Sequence, residues 1–576
     1  MSVVLSEHLP LLASAPDGIQ KLRGLILELA VRGKLAAQDP NDEPASELLK
    51  KIAEERARLE AEGICRKSKP IRQDDEEDLP FALPPSWEWS HLGGIGVIGS
   101  SSRVHQKDWT DQGVPFYRAR EIVKLSQDGF VQNELFISET LYESLAASGL
   151  VPVENDLMVT GVGTIGVPYI VKTDDRFYFK DASVLIFKNY HRLVAKYIRI
   201  FMTSPCWVRR IHEKSMGTTV HTLTIVRANE VPVPIPPLAE QHRIVAKVDE
   251  LMALCDRLEA EQADAASAHA RLVETLLGTL TQSTDAADLA ANWQRLAEHF
   301  DTLFATEASI DALKQTVLQL AVMGKLVPQN PNDEPASKLL KRIGQERARL
   351  EAGGTCKKSK SMPPVGEDEQ PFEVPESWVW ERIGNYAIQT DYGLSEKTLP
   401  ASEGIPVLKM GDIQAGKVVL GGQKVVPLAT EGLPYLFLEP DDLLYNRTNS
   451  AELVGKTGIF RGLAQQYSFA SYLIRIRCFN KLVSPTFLNF VMNAPMFRET
   501  EIVPHLKQQC GQANVNGTIL RNMRIPVPPA AEQHRIVAKV DELMALCDRL
   551  KADVATARQH QATLADTLID AALEAA

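Results

Sequence analysis

The 576-residue chain has seven cysteines but no C-x-x-C pair, and its charge has no positive excess. It also has no apolar run of the roughly 18 residues that a membrane span needs. An odd cysteine count without paired spacing argues against a disulfide framework and against a zinc site. The opening MSVVLSEHLPLLASAPDG carries Glu7 and His8 in its middle and no basic flank, so it does not read as a signal peptide. A cytoplasmic chain with no membrane partner is expected. No Walker lysine loop, no Asn-Pro-Pro-aromatic or Asp-Pro-Pro-aromatic motif and no P-D…E-x-K set occurs, so no catalytic, cofactor or metal residue is assigned. Aromatics are scarce at 6%, while 44% hydrophobic residues fit a globular chain with several cores.

The net charge of −11 opposes a simple nucleic-acid binder. Its distribution softens the objection. Residues 101–222 hold 15 Lys and Arg against 13 Asp and Glu, and residues 381–520 hold 13 against 12. The acidity lies elsewhere, for example in DDEED at 74–78. Tight binding to DNA needs phosphate neutralisation, so much of that charge would come from a partner.

What the chain does have is repetition. AEQHRIVAKVDELMALCDRL occurs at 239–258 and again at 531–550. The stretch from Ile19 to Glu60 returns as Ile310 to Glu351, and the SW-x-W of Trp87 and Trp89 returns at Trp378 and Trp380. Between these kept segments lie two stretches of similar length that share few residues. A duplicated frame holding two diverged inserts implies one partner, or its own mirror copy, met twice, and two different targets. Tandem duplication followed by drift is the alternative.

Helical spacing runs through residues 19–35 and ends at Gly33, and 46–60 form a second helix with Ser46 as the expected N-cap. Proline-led entries (PIPPL at 234–238, VPPA at 527–530) open long helices. A four–three seam runs through Ile244, Val248, Leu251, Cys255 and Leu258 and continues through Gln262, Ala265, His269, Leu272 and Leu276. The second copy gives Ile536, Val540, Leu543, Cys547 and Leu550, then Val554, Ala557, Gln561, Leu564 and Leu568. Roughly 40 residues at 1.5 Å each make a rod of about 60 Å, whose simplest partner is the other copy, antiparallel. The inserts alternate short apolar runs such as VPFYRAREI (114–122), DLMVTG (156–161) and SYLIRIR (471–477) with turns, and read as α/β or α+β globules.

Gly161, Gly163 and Gly166 match G-x-G-x-x-G, but Val167-Pro168 follows and no helix opens there, so a glycine-bearing hairpin is expected rather than a phosphate cradle. Polar residues around this turn and its counterpart could meet base edges or phosphates: Thr160 and Thr164, and Asn446, Arg447, Asn449, Ser450 and Lys456. A second polar loop offers Lys214, Thr218, Thr219 and His221, matched by Lys507, Gln508, Gln509, Gln512, Asn514 and Asn516. A third offers Ser102, Arg103 and Lys107, matched by Tyr392 and Lys397; Arg118, Arg120 and Lys409 complete the candidates. An ordinary solvated loop is the competing reading for each. His242 and His534, beside Glu240/Gln241 and Glu532/Gln533, read as caps or interface contacts.

With PPLAEQHRIVAKVDELMALCDRL, its second copy, the SW-x-W entries and the two unlike inserts, the chain resembles the specificity subunit of type I restriction–modification enzymes over nearly its whole length. The resemblance implies two α/β target recognition domains joined by long antiparallel coiled-coil helices with an internal pseudo-two-fold repeat, an α+β architecture. The expected division is a helical scaffold and linker (1–85), target recognition domain 1 (86–237), a central coiled-coil helix (238–282), a second scaffold and linker (283–376), target recognition domain 2 (377–529) and a C-terminal coiled-coil helix (530–576). It further implies double-stranded DNA as ligand, read as an asymmetric bipartite site, and docking of two methylation subunits and of restriction/translocase subunits. S-adenosylmethionine, ATP and Mg belong to those partners, and the chain itself is not an enzyme. A coiled-coil scaffold whose inserts bind proteins is the alternative.

Overall fold

The structure, a computed structural model, describes residues 11–63, 79–148, 150–190, 193–213, 221–354, 356, 361–400, 403–479, 481–509 and 512–574. They form two compact units: residues 1–265 with 558–576, and residues 266–557. Each unit holds one insert, the first part of one long helix and the last part of the other. No described helix is long and apolar enough to cross a membrane.

The kept segments are kept because they build one joint, twice. Helix Gly18–Val31 ends at Gly33, whose φ of 69° is the left-handed conformation that glycine supplies. A Cβ there would meet Pro84 Cγ at 2.5 Å and the Trp87 ring at 3.0 Å. The Trp87 indole N–H donates to Glu240 Oε2 (2.9 Å), and Gln38 donates to Glu240 Oε1 (2.5 Å). The second copy repeats each contact. Gly324 sits against Pro375 and Trp378, Trp378 donates to Glu532 Oε2 (3.1 Å), and Gln329 donates to Glu532 Oε1 (2.6 Å). Gln241 and Gln533 are fully buried and bridge the proline-led entry to the insert. Gln241 donates to Pro236 O and accepts the Val194 N–H, and Gln533 donates to Pro528 O and accepts the Ser484 N–H. Glu240, Gln241, Glu532 and Gln533 of the repeated motif thus make internal contacts at the helix entry, while His242 and His534 are exposed.

Each insert is closed by a two-stranded clasp of its entry and exit. Glu88–His91 pairs antiparallel with Pro232–Ile235, and Val379–Arg382 with Arg524–Val527. Inside the first insert, strands 97–99, 184–188, 157–160 and 168–170 form a sheet in that order. The second insert repeats this order with 387–392, 473–478, 443–446 and 457–459, and adds two short strands. Two sequences with few residues in common therefore share a core sheet.

Two sequence expectations change. Ser46 is not the N-cap: the second helix spans Ala45–Ala61 after Pro44, and no described side chain caps it. The SW-x-W entry does this work instead, because Ser86 O accepts the Ala45 N–H at 3.0 Å and Ser377 O accepts the Ala336 N–H at 3.0 Å. The heptad seam is also interrupted. Ile244, Val248, Leu251 and Cys255 are buried, but residues 259–268 are exposed throughout, Leu272 is 51% exposed, and burial resumes at Val273, Leu277 and Leu280. In the second helix it resumes at Ala565 and Ala572. The stretch EAEQADAASA holds the spacing of a seam without an apolar side chain large enough to bury, so its contacts are polar, such as Gln262 donating to Ala13 O at 2.8 Å. Each buried stripe lies beside a repeated short helix of its own unit, where Arg23 pairs with Asp256 and Glu259, and Lys314 with Asp548.

Candidate nucleic-acid interface

In the second insert, three loops that are far apart in sequence come together. Tyr392 ends strand Ala387–Tyr392 with its ring 44% exposed, and its hydroxyl accepts the Gly517 N–H at 2.6 Å. Gly517 opens a short helix capped by Asn516, whose side chain accepts the Ile519 N–H at 2.9 Å. Arg447 lies over the Tyr392 ring, 4.8 Å from its centroid, a cation–π arrangement. Its Nη1 donates to Ser471 O (3.2 Å), while its buried Nε has no partner among the described residues. Just beyond it, Thr448 and Asn449 pair antiparallel with Asn514 and Ala513, and 512–514 pairs onward with 507–509. Buried Asn446 donates to Leu453 O and pins the turn that presents exposed Ser450 and Lys456.

The support behind this surface is ionic. Arg475 is fully buried, pairs with Asp391 at 2.7 Å and donates to Phe437 O. Tyr435 donates to the other oxygen of Asp391 at 2.8 Å. Burial first, and the Asp391 carboxylate second, push the Tyr435 phenol up from its ordinary value. The pair anchors the strand that carries Tyr392. Neither Asp391 nor Tyr435 is among the sequence candidates: an Asp on a strand and a Tyr in an apolar run carry no signal of their pairing.

The first insert brings together the same three regions. Ser101 donates to Phe179 O (2.6 Å), and the Ser102 N–H donates to the Tyr178 hydroxyl (2.9 Å). Gly161 N–H donates to Ser183 O, Leu223 N–H donates to Gly161 O, and Val162 bridges to Thr222, so the loops near 162 and 222 meet, and the segment 178–183 links them to the loop at 100–102, where Ser100 Oγ accepts the Ala182 N–H. The glycine turn is a hairpin between antiparallel strands 157–160 and 168–170, and the next described element is a strand rather than a helix. Gly166, with φ 81°, lets its carbonyl accept the Trp207 indole N–H at 2.9 Å.

The candidates fall into groups. Ser102, Arg103, Lys107, Thr164, His221, Lys397, Lys409, Ser450 and Lys456 are exposed; Lys409 also donates to Thr398 Oγ1. His221 lies edge-on to His212, ring centroids 5.3 Å apart. Asn449 and Asn514 are half-buried, and Asn449 Oδ1 accepts the Ser450 N–H. Thr160 is a correction: it is fully buried, and its hydroxyl donates to Thr164 O and accepts the Val167 N–H, closing the hairpin from inside. Arg118 and Arg120, with side chains 27% and 53% exposed, both pair with buried Glu121 and with Glu134. Burial works to raise the Glu121 carboxyl, but the hydrogen bonds from both arginines outweigh it and hold it below its ordinary value. Lys214, Thr218 and Thr219 lie outside the described residues, as do the side chains of Lys507, Gln508, Gln509 and Gln512. Among the described residues, no group of three His, Cys, Asp or Glu could hold a metal.

A frame that builds the same joint twice, carrying two inserts with one core sheet and unlike polar rims, defines a two-headed recognition protein. Residues 84–266 and 383–555 match the family model of the type I restriction modification DNA specificity domain. The chain is 37% identical over 583 residues to the type I restriction enzyme EcoAI specificity subunit of Escherichia coli, covering 96% of this chain and 94% of that one. It is 37% identical over 576 residues to the EcoEI specificity subunit of Escherichia coli, with the same coverage. The EcoKI specificity subunit of Escherichia coli strain K12 is 23% identical over 65% of this chain and 63% of its own length. The chain belongs to the family of type I restriction–modification specificity subunits.

Proposed function

We propose that the two inserts, residues 86–237 and 377–529, each read one half of an asymmetric, split DNA site, and that the chain performs no chemistry of its own. The reading rests on one observation: in each insert polar loops gather at one end of the shared core sheet, where strands that run the same way finish, and the side chains they present differ. Phosphate contacts set register and base contacts set sequence, so two unlike rims on one frame specify two unlike half-sites. Of the candidates, Tyr392, Arg447, Asn449, Ser450, Lys456 and Asn514 form the second reading head, and Ser102, Arg103, Thr164 and His221 the first. The balanced charge of the inserts leaves part of the phosphate neutralisation to partners. Two methylation subunits, docked on the duplicated frame, supply S-adenosylmethionine and adenine N6 chemistry and receive a flipped base. Restriction subunits add ATP- and Mg-dependent steps, and the assembly is cytoplasmic. Family membership disfavours the protein-binding scaffold.

The test is exchange of residues 90–230 for the corresponding segment of another specificity subunit, followed by mapping of methylated adenines in cells that carry the methylation subunits. One half of the site changes and the other persists. Change in both halves, or in neither, contradicts two independent heads.

A further inference from the structure

The two copies of the frame hold their inserts at a second joint, and there they differ in charge. In the first unit, Glu28 on helix Gly18–Val31 is buried at 1% exposure. Its carboxylate accepts the Cys206 N–H at 3.0 Å, at the start of insert helix Pro205–Glu213. It also accepts from Arg32 on its own helix (2.9 Å) and from Arg209 of the insert helix (2.8 Å). One buried anion thus joins the end of a helix dipole and two guanidinium groups, one from each side of the joint.

The second unit keeps the backbone N–H contact and removes the charge. The residue 291 positions on, Gln319, is buried at 6%, and its Oε1 accepts the Met496 N–H at 3.0 Å, again at the start of an insert helix. Met323 stands in the place of Arg32, and Glu499, on the surface, stands in the place of Arg209. The Gln319 Nε2 is buried without a partner among the described residues. Three positions have therefore changed together, from anion with two cations to a neutral amide without them, and the insert helix has changed too, from nine α-helical residues to three followed by a π-turn over Arg498–Ile502.

We infer that Glu28 and Gln319 act as a positional key, by which each copy of the frame accepts only an insert whose docking helix carries the matching charge. An insert bearing Glu499 placed in the first frame sets a second carboxylate against buried Glu28. An insert bearing Arg209 placed in the second frame meets an uncharged acceptor. A second carboxylate beside buried Glu28 takes the place of a cation, whereas an uncharged acceptor only forgoes an attraction; because the Arg209 side chain is 57% exposed, solvent screens part of that repulsion. The key fixes which reading head stands in which copy of the frame. That consequence rests on the proposed function, whereas the key itself rests on the joint alone.

The experiment uses the full chain and reads hydrogen exchange of the amides in 18–31 and 309–322, which is independent of DNA binding. Arg209→Glu raises opening of the first joint by about tenfold, and Glu28→Gln added to it restores most of the protection. Gln319→Glu raises opening of the second joint, and Glu499→Arg added to it restores protection. Residues 381–523 transplanted into the first frame protect its helix when that frame carries Glu28→Gln, and fail to do so when it keeps Glu28. Equal opening of Arg209→Glu with and without Glu28→Gln, a Gln319→Glu chain as protected as the parent, or a transplant indifferent to the Glu28→Gln change overturns the key. Loss of DNA reading with these couplings intact would count against the proposed function alone.

Discussion

Replacing Trp87 with Phe removes the indole N–H and two ring carbons from the first copy of the joint and leaves a six-membered ring in place. The indole is 3% exposed and donates to Glu240 Oε2 at 2.9 Å, and Glu240 is itself 1% exposed. A buried acceptor that loses a donor costs about 1–3 kcal/mol. Full truncation to Ala adds a cavity beside Tyr197 and costs about 3–5 kcal/mol. The duplication makes the prediction sharper: Trp378→Phe removes the same bond to Glu532, made at 3.1 Å, so the two variants lose similar amounts. Burial is the chief cause that raises the Glu240 carboxyl above its ordinary value, and the Trp87 bond opposes it. The folded state therefore binds this proton more tightly than the unfolded chain, and its stability declines as pH rises through the range just above the ordinary carboxylate value. Trp87→Phe pushes the carboxyl further up and extends that decline to higher pH, while Glu240→Gln abolishes it. Because the two units need not unfold together, the assay is hydrogen exchange of helix 18–31 against pH rather than one melting temperature. If Trp87→Phe matches the parent at every pH, the kept motif is not held by this bond and the joint is misread.

Tyr392→Phe keeps the ring under Arg447 but removes the acceptor of the Gly517 N–H; site-specific DNA binding by the complex with methylation subunits falls several-fold, about 1 kcal/mol, and Arg447→Ala falls further, both measured by titration at fixed salt. Gly166→Ala forces a side chain into a left-handed backbone position 2.2 Å from Ile211 Cδ1, so the first unit loses more than about 1 kcal/mol in denaturant unfolding while exchange protection of the second is unchanged. Four residues inserted after Leu258 lengthen the exposed part of the first long helix, and the separation of the methylated half-sites changes; retention of the original spacing means that the helix does not set it.

Much of the frame was legible because repetition marks what is kept, and periodicity marks helices. Gly33, the proline-led helix entries and the glycine hairpin at 161–166 follow from backbone chemistry that leaves few options. The misreadings share a physical origin. Spacing at 259–268 imitates a seam, but alanine, glutamine and serine bury too little to hold one. Ser46 looks like a cap, but the helix begins one residue earlier, at Ala45, whose N–H the Ser86 carbonyl accepts. Arg118 and Arg120 look free for phosphates, yet Glu121 and Glu134 beside them pair with both. The convergence of Tyr392, Arg447 and Asn514 spans more than a hundred residues, and no local pattern announces contacts closed by the fold of a sheet.

The central claim is that two unlike heads on one duplicated frame read two halves of one site. The most direct measurement is the map of methylated adenines in cells whose chain carries a replaced second insert, residues 381–523, with the first insert and both long helices unchanged. The account predicts a site whose first half and internal spacing persist while its second half is new. A site altered in both halves, or preserved whole, contradicts it.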